Sequence, residues 1–192
     1  MKRLGWINLV LIALMAVGFA ARAYQIGSIS NQFHTTRQFY TAQMVRGDYY
    51  ANADVPEWRR AVALANQPLG LEPPVIQTVA LVGYKLVGSE QLWIPRTFSA
   101  LMWVIGGFFL FLAARKIMRP EAALITVAFY LFTPYGIAAS RSFQANPTMI
   151  ALSVITYFAI LHYFEQPSKK RLLWAILSAA SANVVMIYTV FT

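Results

Sequence analysis

The chain has 192 residues, of which 58% are hydrophobic and only 12% charged, against roughly 25% charged in a soluble domain, so a soluble globular protein is excluded and an integral membrane protein is indicated. Cysteine is absent, which excludes disulfides and thiolate metal sites. The net charge of +9 sits largely in short clusters of the kind that set membrane topology, and no basic helix or recognition motif points to nucleic acid.

Five stretches are long and apolar enough to cross a bilayer, which takes roughly 17–25 residues each. They are about 4–21, 97–114, 122–140, 148–164 and 172–191. Val75–Val87 is a sixth, shorter candidate with Lys85 near its end. Charge decides against it as a span. With five crossings and the N-terminus inside, Lys2 and Arg3, then Arg115, Lys116 and Arg119, then Lys169, Lys170 and Arg171 all face the cytoplasm, as the positive-inside rule requires. A sixth crossing would put the second and third clusters outside. Val75–Val87 therefore reads as an interfacial helix started by Pro73-Pro74. Val75, Val79, Val82 and Leu86 would form its buried stripe. The organisation expected is a first transmembrane helix over 1–22, an extracytoplasmic loop over 23–96 and a transmembrane bundle over 97–192. Met1-Lys2-Arg3, a short apolar core and Ala21-Arg22-Ala23 also fit a cleavable signal peptide. The run ending at Val190-Phe191-Thr192 has no polar tail, as in the N-terminal part of a longer chain.

The polar stretch 24–72 between apolar segments is too long to be only a connector. Its first half reads as a helix over 35–49, capped by Thr35 or Thr36 and ended by Gly47. Phe33, Arg37, Tyr40 and Met44 would share one face, with Arg46 half a turn away. Asp54, Pro56, Glu57, Trp58, Arg59 and Arg60 follow. Then Gln67-Pro68-Leu69-Gly70 turns into Leu71-Glu72-Pro73-Pro74. Asp54 and Glu57, three apart, could share a helical face as metal ligands do; with Arg59 and Arg60 adjacent, an ion-pair cluster is the plainer and preferred reading. Trp58, Tyr49 and Tyr50 suit an interfacial aromatic belt or stacking on a sugar. Phe108, Phe109 and Phe158 read as packing or lipid-facing residues. Gly106-Gly107 and the small residues 178–181 suit close helix packing. His162, near the inner face, reads as structural. There is no phosphate-cradling glycine loop, nucleophile elbow, zinc spacing or internal repeat.

Four ordered motifs resemble a known family. The first is a single N-terminal span leading to His34-x-Thr36-Arg37-Gln38 and Thr41-Ala42. The second is Glu72-Pro73-Pro74 followed by Tyr84-Lys85-Leu86-Val87-Gly88. The third is Ile94-Pro95-Arg96-x-x-Ser99-Ala100 entering a span, and the fourth is Thr133-Pro134 with Ser140-Arg141-Ser142-Phe143-Gln144 closing the next. Together they resemble the N-terminal part of membrane glycosyltransferases of the GT-C fold that use polyprenol-phosphate sugars, in the branch of the protein O-mannosyltransferases and the lipid A aminoarabinose transferase. The resemblance implies transfer of a sugar from a polyprenyl-phosphate donor to a protein, lipid or polysaccharide acceptor on the extracytoplasmic side of the cytoplasmic membrane. The donor phosphate then needs arginine or a divalent metal ion, and the acceptor hydroxyl needs a base.

On that resemblance Glu72 and His34 are the catalytic candidates. Arg37, Gln38, Arg141, Gln144 and Asn146 are the substrate-binding candidates, and no metal ligands are assigned. Each has a plainer reading: Glu72 as a solvated loop carboxylate, Arg37 as a snorkelling surface arginine, His34 as a structural hydrogen-bonding residue, Arg141 as a headgroup-facing cation. The chain departs from the family at two carboxylates. Ser30-Asn31-Gln32 stand where the first-loop acid is expected and Asn146 where the second is, and neither amide takes a proton at neutral pH. The expectation is an all-α polytopic membrane protein of about five transmembrane helices with a long first loop of amphipathic helices, acting as a glycosyltransferase. A non-catalytic binder of lipid phosphate or glycolipid is the first alternative. A transporter fragment is the second, disfavoured because no charge lies centrally in any span.

Overall fold

Uninterrupted apolar runs form the long helices, and proline, glycine and charge end them. The computed structural model describes residues 2–28, 33–51, 53–68 and 73–185; Glu72 and the Ser30-Asn31-Gln32 stretch lie outside these residues. Among the described residues every regular element is helical. The long ones are α1 (Lys2–Ala23), α5 (Trp93–Ile117) and α8 (Asn146–Glu165), with α2 (Thr35–Ala51), α3 (Glu57–Ala65) and α4 (Val75–Val87) between the first two. The broken pair α6 (Pro120–Phe132) and α7 (Pro134–Ser140) precedes α8, and α9 (Lys169–Val185) follows it. Three helices, over Gly5–Ala23, Trp93–Ile117 and Asn146–Glu165, are long and apolar enough to cross a membrane, and α6 with α7 counts as a fourth if the bent pair is one span. The fifth expected span, 172–191, is described only as far as Val185, as part of α9.

Side-chain contacts set the helix directions. Ile7 and Leu11 near the start of α1 pack with Phe111 and Ala114 near the end of α5 and Ala123 near the start of α6. A Cβ on Gly106 of α5 would lie 3.1 Å from the Cα of Ala151, and Lys116 reaches His162 at 3.5 Å, so α5 and α8 run parallel. The start of α1, the end of α5, the starts of α6 and α9 and the end of α8 thus lie at one end of the bundle. All three basic clusters are in those segments.

Helices α2, α3 and α4 cap the opposite end. Val45, Ile76, Ala80 and Tyr84 join Phe143, Ala145 and Val185 in one apolar cluster. Two expectations change here. Helix α4 turns Ile76, Ala80 and Tyr84 inward, while Val82 and Leu86 stand 51% and 83% exposed. The buried stripe is therefore displaced from Val75, Val79, Val82 and Leu86, because the packing partners are α2 and α5 on the side of Ile76. At 13 residues, α4 is about 20 Å long, short of a hydrocarbon core of about 30 Å. Gly47 does not end α2, which continues to Ala51. It is glycine because a Cβ there would sit 2.5 Å from the Gln67 side chain, whose Nε2 donates to the Met44 carbonyl at 3.2 Å and to Asp48 at 2.8 Å. Gly106 and Gly107 pack as expected against Ala151, Tyr130 and Leu131. Phe109 and Phe158 stack with Trp174 between α5, α8 and α9.

Helix α6 breaks at Thr133-Pro134 with a bend of 61°. Pro134 has no N–H for the Tyr130 carbonyl, and the bend ends the ladder that would serve Leu131. Neighbouring helices supply the donors: Trp103 Nε1 reaches the Tyr130 carbonyl at 3.4 Å and Arg22 Nη2 reaches the Leu131 carbonyl at 2.9 Å. Arg22 also donates to Ser140 Oγ and the Gly18 carbonyl, each at 2.7 Å, and is fully buried. We predict that Arg22→Met, which leaves these buried acceptors unserved, lowers stability by on the order of 3 kcal/mol. Thermal unfolding in detergent reads this directly, and a midpoint equal to the wild type's would show that the brace does not stabilise the bundle.

Candidate functional site at the capped end of the bundle

Two arginines grip the chain as it leaves α1. Gln25 takes a left-handed φ of 50° and turns the backbone. Arg96 Nη1, from the first turn of α5, donates to the carbonyls of Ile26 (3.2 Å) and Ser28. Arg141, just past α7, donates through Nη2 to the Tyr24 carbonyl. The two guanidiniums are near enough to repel each other, and the separate carbonyls of the 24–28 segment that each one binds offset that repulsion.

The chain enters α2 through Phe33 and His34, both left-handed with φ of 50° and 49°. Such a conformation is uncommon for bulky residues and costs about 1–3 kcal/mol each. Contacts on either side hold it. The Phe33 ring packs edge-on against Tyr135 at 5.3 Å, and its carbonyl accepts from Gln38 Nε2 at 2.7 Å. The His34 carbonyl accepts from Gln144 Nε2 at 3.3 Å. Gln38 Oε1 in turn accepts the Phe143 amide at 3.1 Å. Gln38 and Gln144 thus stitch the start of α2 to the 141–145 loop that leads into α8.

Beneath these contacts lies a group of buried polar atoms without hydrogen-bond partners: Arg96 Nε, Ser99 Oγ, Gln144 Oε1, Asn146 Oδ1 and Thr148 Oγ1. The parallel register of α5 and α8, set by the Gly106–Ala151 and Lys116–His162 contacts, brings the starts of the two helices to the same end of the bundle, with Thr148 of α8 about level with Trp103 of α5. Unpaired polar atoms in an apolar bundle are costly, and such groups mark a site for a polar ligand or for strain. A cleft of about 20 Å³ bounded by Gln38, Phe39, Arg96 and Phe143 opens beside them.

Five of the seven residues singled out from sequence meet here. Gln38, Gln144 and the His34 backbone share hydrogen bonds, Arg141 stands next to Arg96, and Asn146 opens α8. The His34 ring is exposed and edge-on to Phe33 at 4.7 Å, with no side-chain hydrogen bond to a described residue. Arg37 precedes Gln38 on α2 and is half-buried. Glu72 is not described. Sequence reasoning missed Arg22, Arg96, Ser99 and Thr148. The signal was the cost of an arginine at a span end facing lipid, applied to Arg141 but not to Arg22 or Arg96. Among the described residues no three His, Asp or Glu come together in one group. Asp54 precedes α3 while Glu57 begins it, so they do not share a helical face. The ion-pair cluster also does not form: Arg60 donates to the Ala53 carbonyl at 3.1 Å and Arg59 lies over the Tyr50 ring at 5.0 Å.

Long apolar helices, with a group of buried polar atoms at one end of the bundle, define an integral membrane protein. Residues 71–191 match the model of the dolichyl-phosphate-mannose-protein mannosyltransferase family, and the chain belongs to that family. At this level it is a membrane glycosyltransferase of the mannosyltransferase type. No curated protein and no solved structure gives a match. The matched stretch contains Arg96, Ser99, Arg141, Gln144, Asn146 and Thr148, whereas His34, Arg37 and Gln38 precede it.

Gln38→Leu is expected to leave the Phe143 amide buried and unpaired, a cost of about 1–3 kcal/mol. Hydrogen exchange at the Phe143 amide should accelerate together with a lower melting temperature. Unchanged exchange would mean that the 141–145 loop holds its shape without α2.

Proposed function

We propose that this protein moves a sugar from a polyprenyl-phosphate donor to an acceptor hydroxyl on the extracytoplasmic side of the cytoplasmic membrane. In this reading the N-terminus is inside, residues 23–96 form the extracytoplasmic loop, and 172–191 make a fifth crossing. The observation that carries it is the half-satisfied polar group at the starts of α5 and α8, in a member of a sugar-transferase family. A phosphate monoanion or dianion needs several donors at once. Arg96 Nε, the Arg141 nitrogens not used by Tyr24, and the Ser99 hydroxyl are donors of that kind at this end of the bundle, with the Thr148 hydroxyl deeper. Arg37 joins them from α2. The donor's polyprenyl chain stays in lipid while its phosphate sits at the surface.

Bond making and breaking balance as follows. The acceptor oxygen bonds to the anomeric carbon, the carbon–oxygen bond to phosphate breaks, and the electron pair leaves with the phosphate, inverting the sugar carbon. Arginines stabilise the charge that gathers on the leaving oxygen. The acceptor proton goes to a carboxylate, a role assigned to Glu72. Gln144 and Asn146 orient donor or acceptor by hydrogen bonds but take no proton. No step is routed through a metal ion. The amides that stand where acids are expected favour one second reading, a protein that binds the lipid phosphate without turnover.

The test uses the full chain in lipid nanodiscs with a polyprenyl-phosphate-mannose donor. Binding and release of polyprenyl phosphate are measured separately. Arg96→Ala and Arg141→Ala should each weaken donor binding about tenfold or more. Glu72→Gln should retain binding and slow release by on the order of 10²–10⁴-fold. Unchanged turnover in Glu72→Gln and Arg37→Ala would remove those two roles. Donor binding with no release in the wild type would establish the binding reading instead.

A further inference from the structure

A cleft larger than the one at the polar site lies elsewhere. A cavity of about 560 Å³ opens between the end of α2, the segment before α3 and the turn joining α4 to α5, walled by Tyr49, Tyr50, Asp54, Arg59, Lys85 and Glu90. Its volume lies in the range of small-ligand sites, roughly 300–1,000 Å³. Twelve residues of α2 separate Gln38 from Tyr50, about 18 Å along a helix axis, so the two sites are distinct.

The wall is built rigidly. Glu90 is fixed by Arg46 at 3.3 Å and by the Tyr50 hydroxyl. Burial and the Glu90 carboxylate both push the Tyr50 phenol up, so it stays protonated and donates. Tyr49 packs edge-on against Tyr50 at 5.1 Å and Tyr84 at 5.9 Å, which leaves its ring partly open to the cleft. Gly88 turns the chain at the rim with φ of 74°, a conformation that costs other residues more, and open space lies where its Cβ would be. Asp54 and Lys85 have no ion-pair partner among the described residues.

Chemistry narrows the ligand. Within the wall Arg59 and Lys85 face Asp54 and Glu90, and Arg46 pairs with Glu90 from behind, so charges of both signs are interspersed around the cleft. No glycine loop cradles a phosphate there. The aliphatic lining is only Ala53 and Val55, too little for an acyl chain. An extended peptide would find no strand edge to pair with, since the elements here are helices. A ligand with many hydroxyls, each both donor and acceptor, suits a free carboxylate, a free ammonium and a guanidinium set beside an aromatic ring.

We propose that this cleft binds an uncharged oligosaccharide, with Tyr49 under the sugar ring and Asp54 and Lys85 on its hydroxyls. The site stands independently of the transfer reading, because it requires a saccharide at the cap and no lipid donor.

The test is saturation-transfer NMR on the full chain in detergent with uncharged trisaccharides of mannose, glucose and galactose, and inositol hexaphosphate as the anionic control. Ring-proton signals are expected with at least one trisaccharide. Tyr49→Ala and Asp54→Asn should each weaken binding about tenfold, and Tyr49→Phe should preserve it. Asp54 is exposed and makes no side-chain contact to a described residue, so Asp54→Asn leaves the fold intact and keeps the test decisive if Tyr49→Ala unfolds. Gln144→Ala at the polar site should leave saccharide binding unchanged, which separates failure here from failure of the transfer reading. No signal from any trisaccharide, binding of the anion alone, or binding indifferent to Asp54→Asn would each overturn the proposal.

Discussion

The Arg22 guanidinium is the contact on which the bundle depends. A charge wholly buried in an apolar bundle is tolerable only when its hydrogen bonds are made. Arg22 makes three, to α1 itself, to the carbonyl exposed at the α6 break and to the end of α7. The break would in turn be costly without it, because backbone groups in a membrane must find partners inside the protein. Proline and arginine thus satisfy each other's deficits across more than a hundred residues of sequence. Trp103 closes the same gap from α5, stacked on Tyr130 at 4.9 Å. The result fixes α1, α5, α6 and α7 at one level of the bundle.

Everything above that level inherits its geometry. The bend aims α7 so that Ser140 meets Arg22 and the following loop delivers Arg141, Phe143 and Gln144 to the start of α8. Arg96 and Arg141 then take the chain leaving α1 by its carbonyls, and Gln38 and Gln144 take it again as it enters α2. Backbone contacts occupy part of each polar side chain, and the remainder of several points into buried space without a partner.

The membrane-spanning segments were legible because an apolar run and its flanking charges are local properties. The first, second and fourth spans match α1, α5 and α8 within a few residues, and the third, 122–140, is broken at Pro134. The interior face of α4 was not legible. Valine and leucine at helical spacing suggest a buried stripe, but which face is buried depends on the neighbours, and α2 and α5 lie on the side of Ile76, Ala80 and Tyr84. Gly47 misled for a similar reason. A glycine near a helix end resembles a stop, whereas here it admits the Gln67 side chain from a segment twenty residues on.

The sequence by itself determined that the chain is helical, that it belongs in a membrane, and that its basic clusters sit in the same set of helix ends. These follow from composition, periodicity and short motifs, which need no knowledge of distant neighbours. Only the tertiary structure decided that Arg22 braces the α6 break, that Arg96 holds the chain leaving α1, that Asp54 and Glu57 do not form a pair, and that a cleft of about 560 Å³ lies beside Tyr49 and Glu90. Those outcomes depend on contacts between residues tens to more than a hundred positions apart, where the energies of burying charge and satisfying backbone groups are settled jointly and cannot be read from either partner alone.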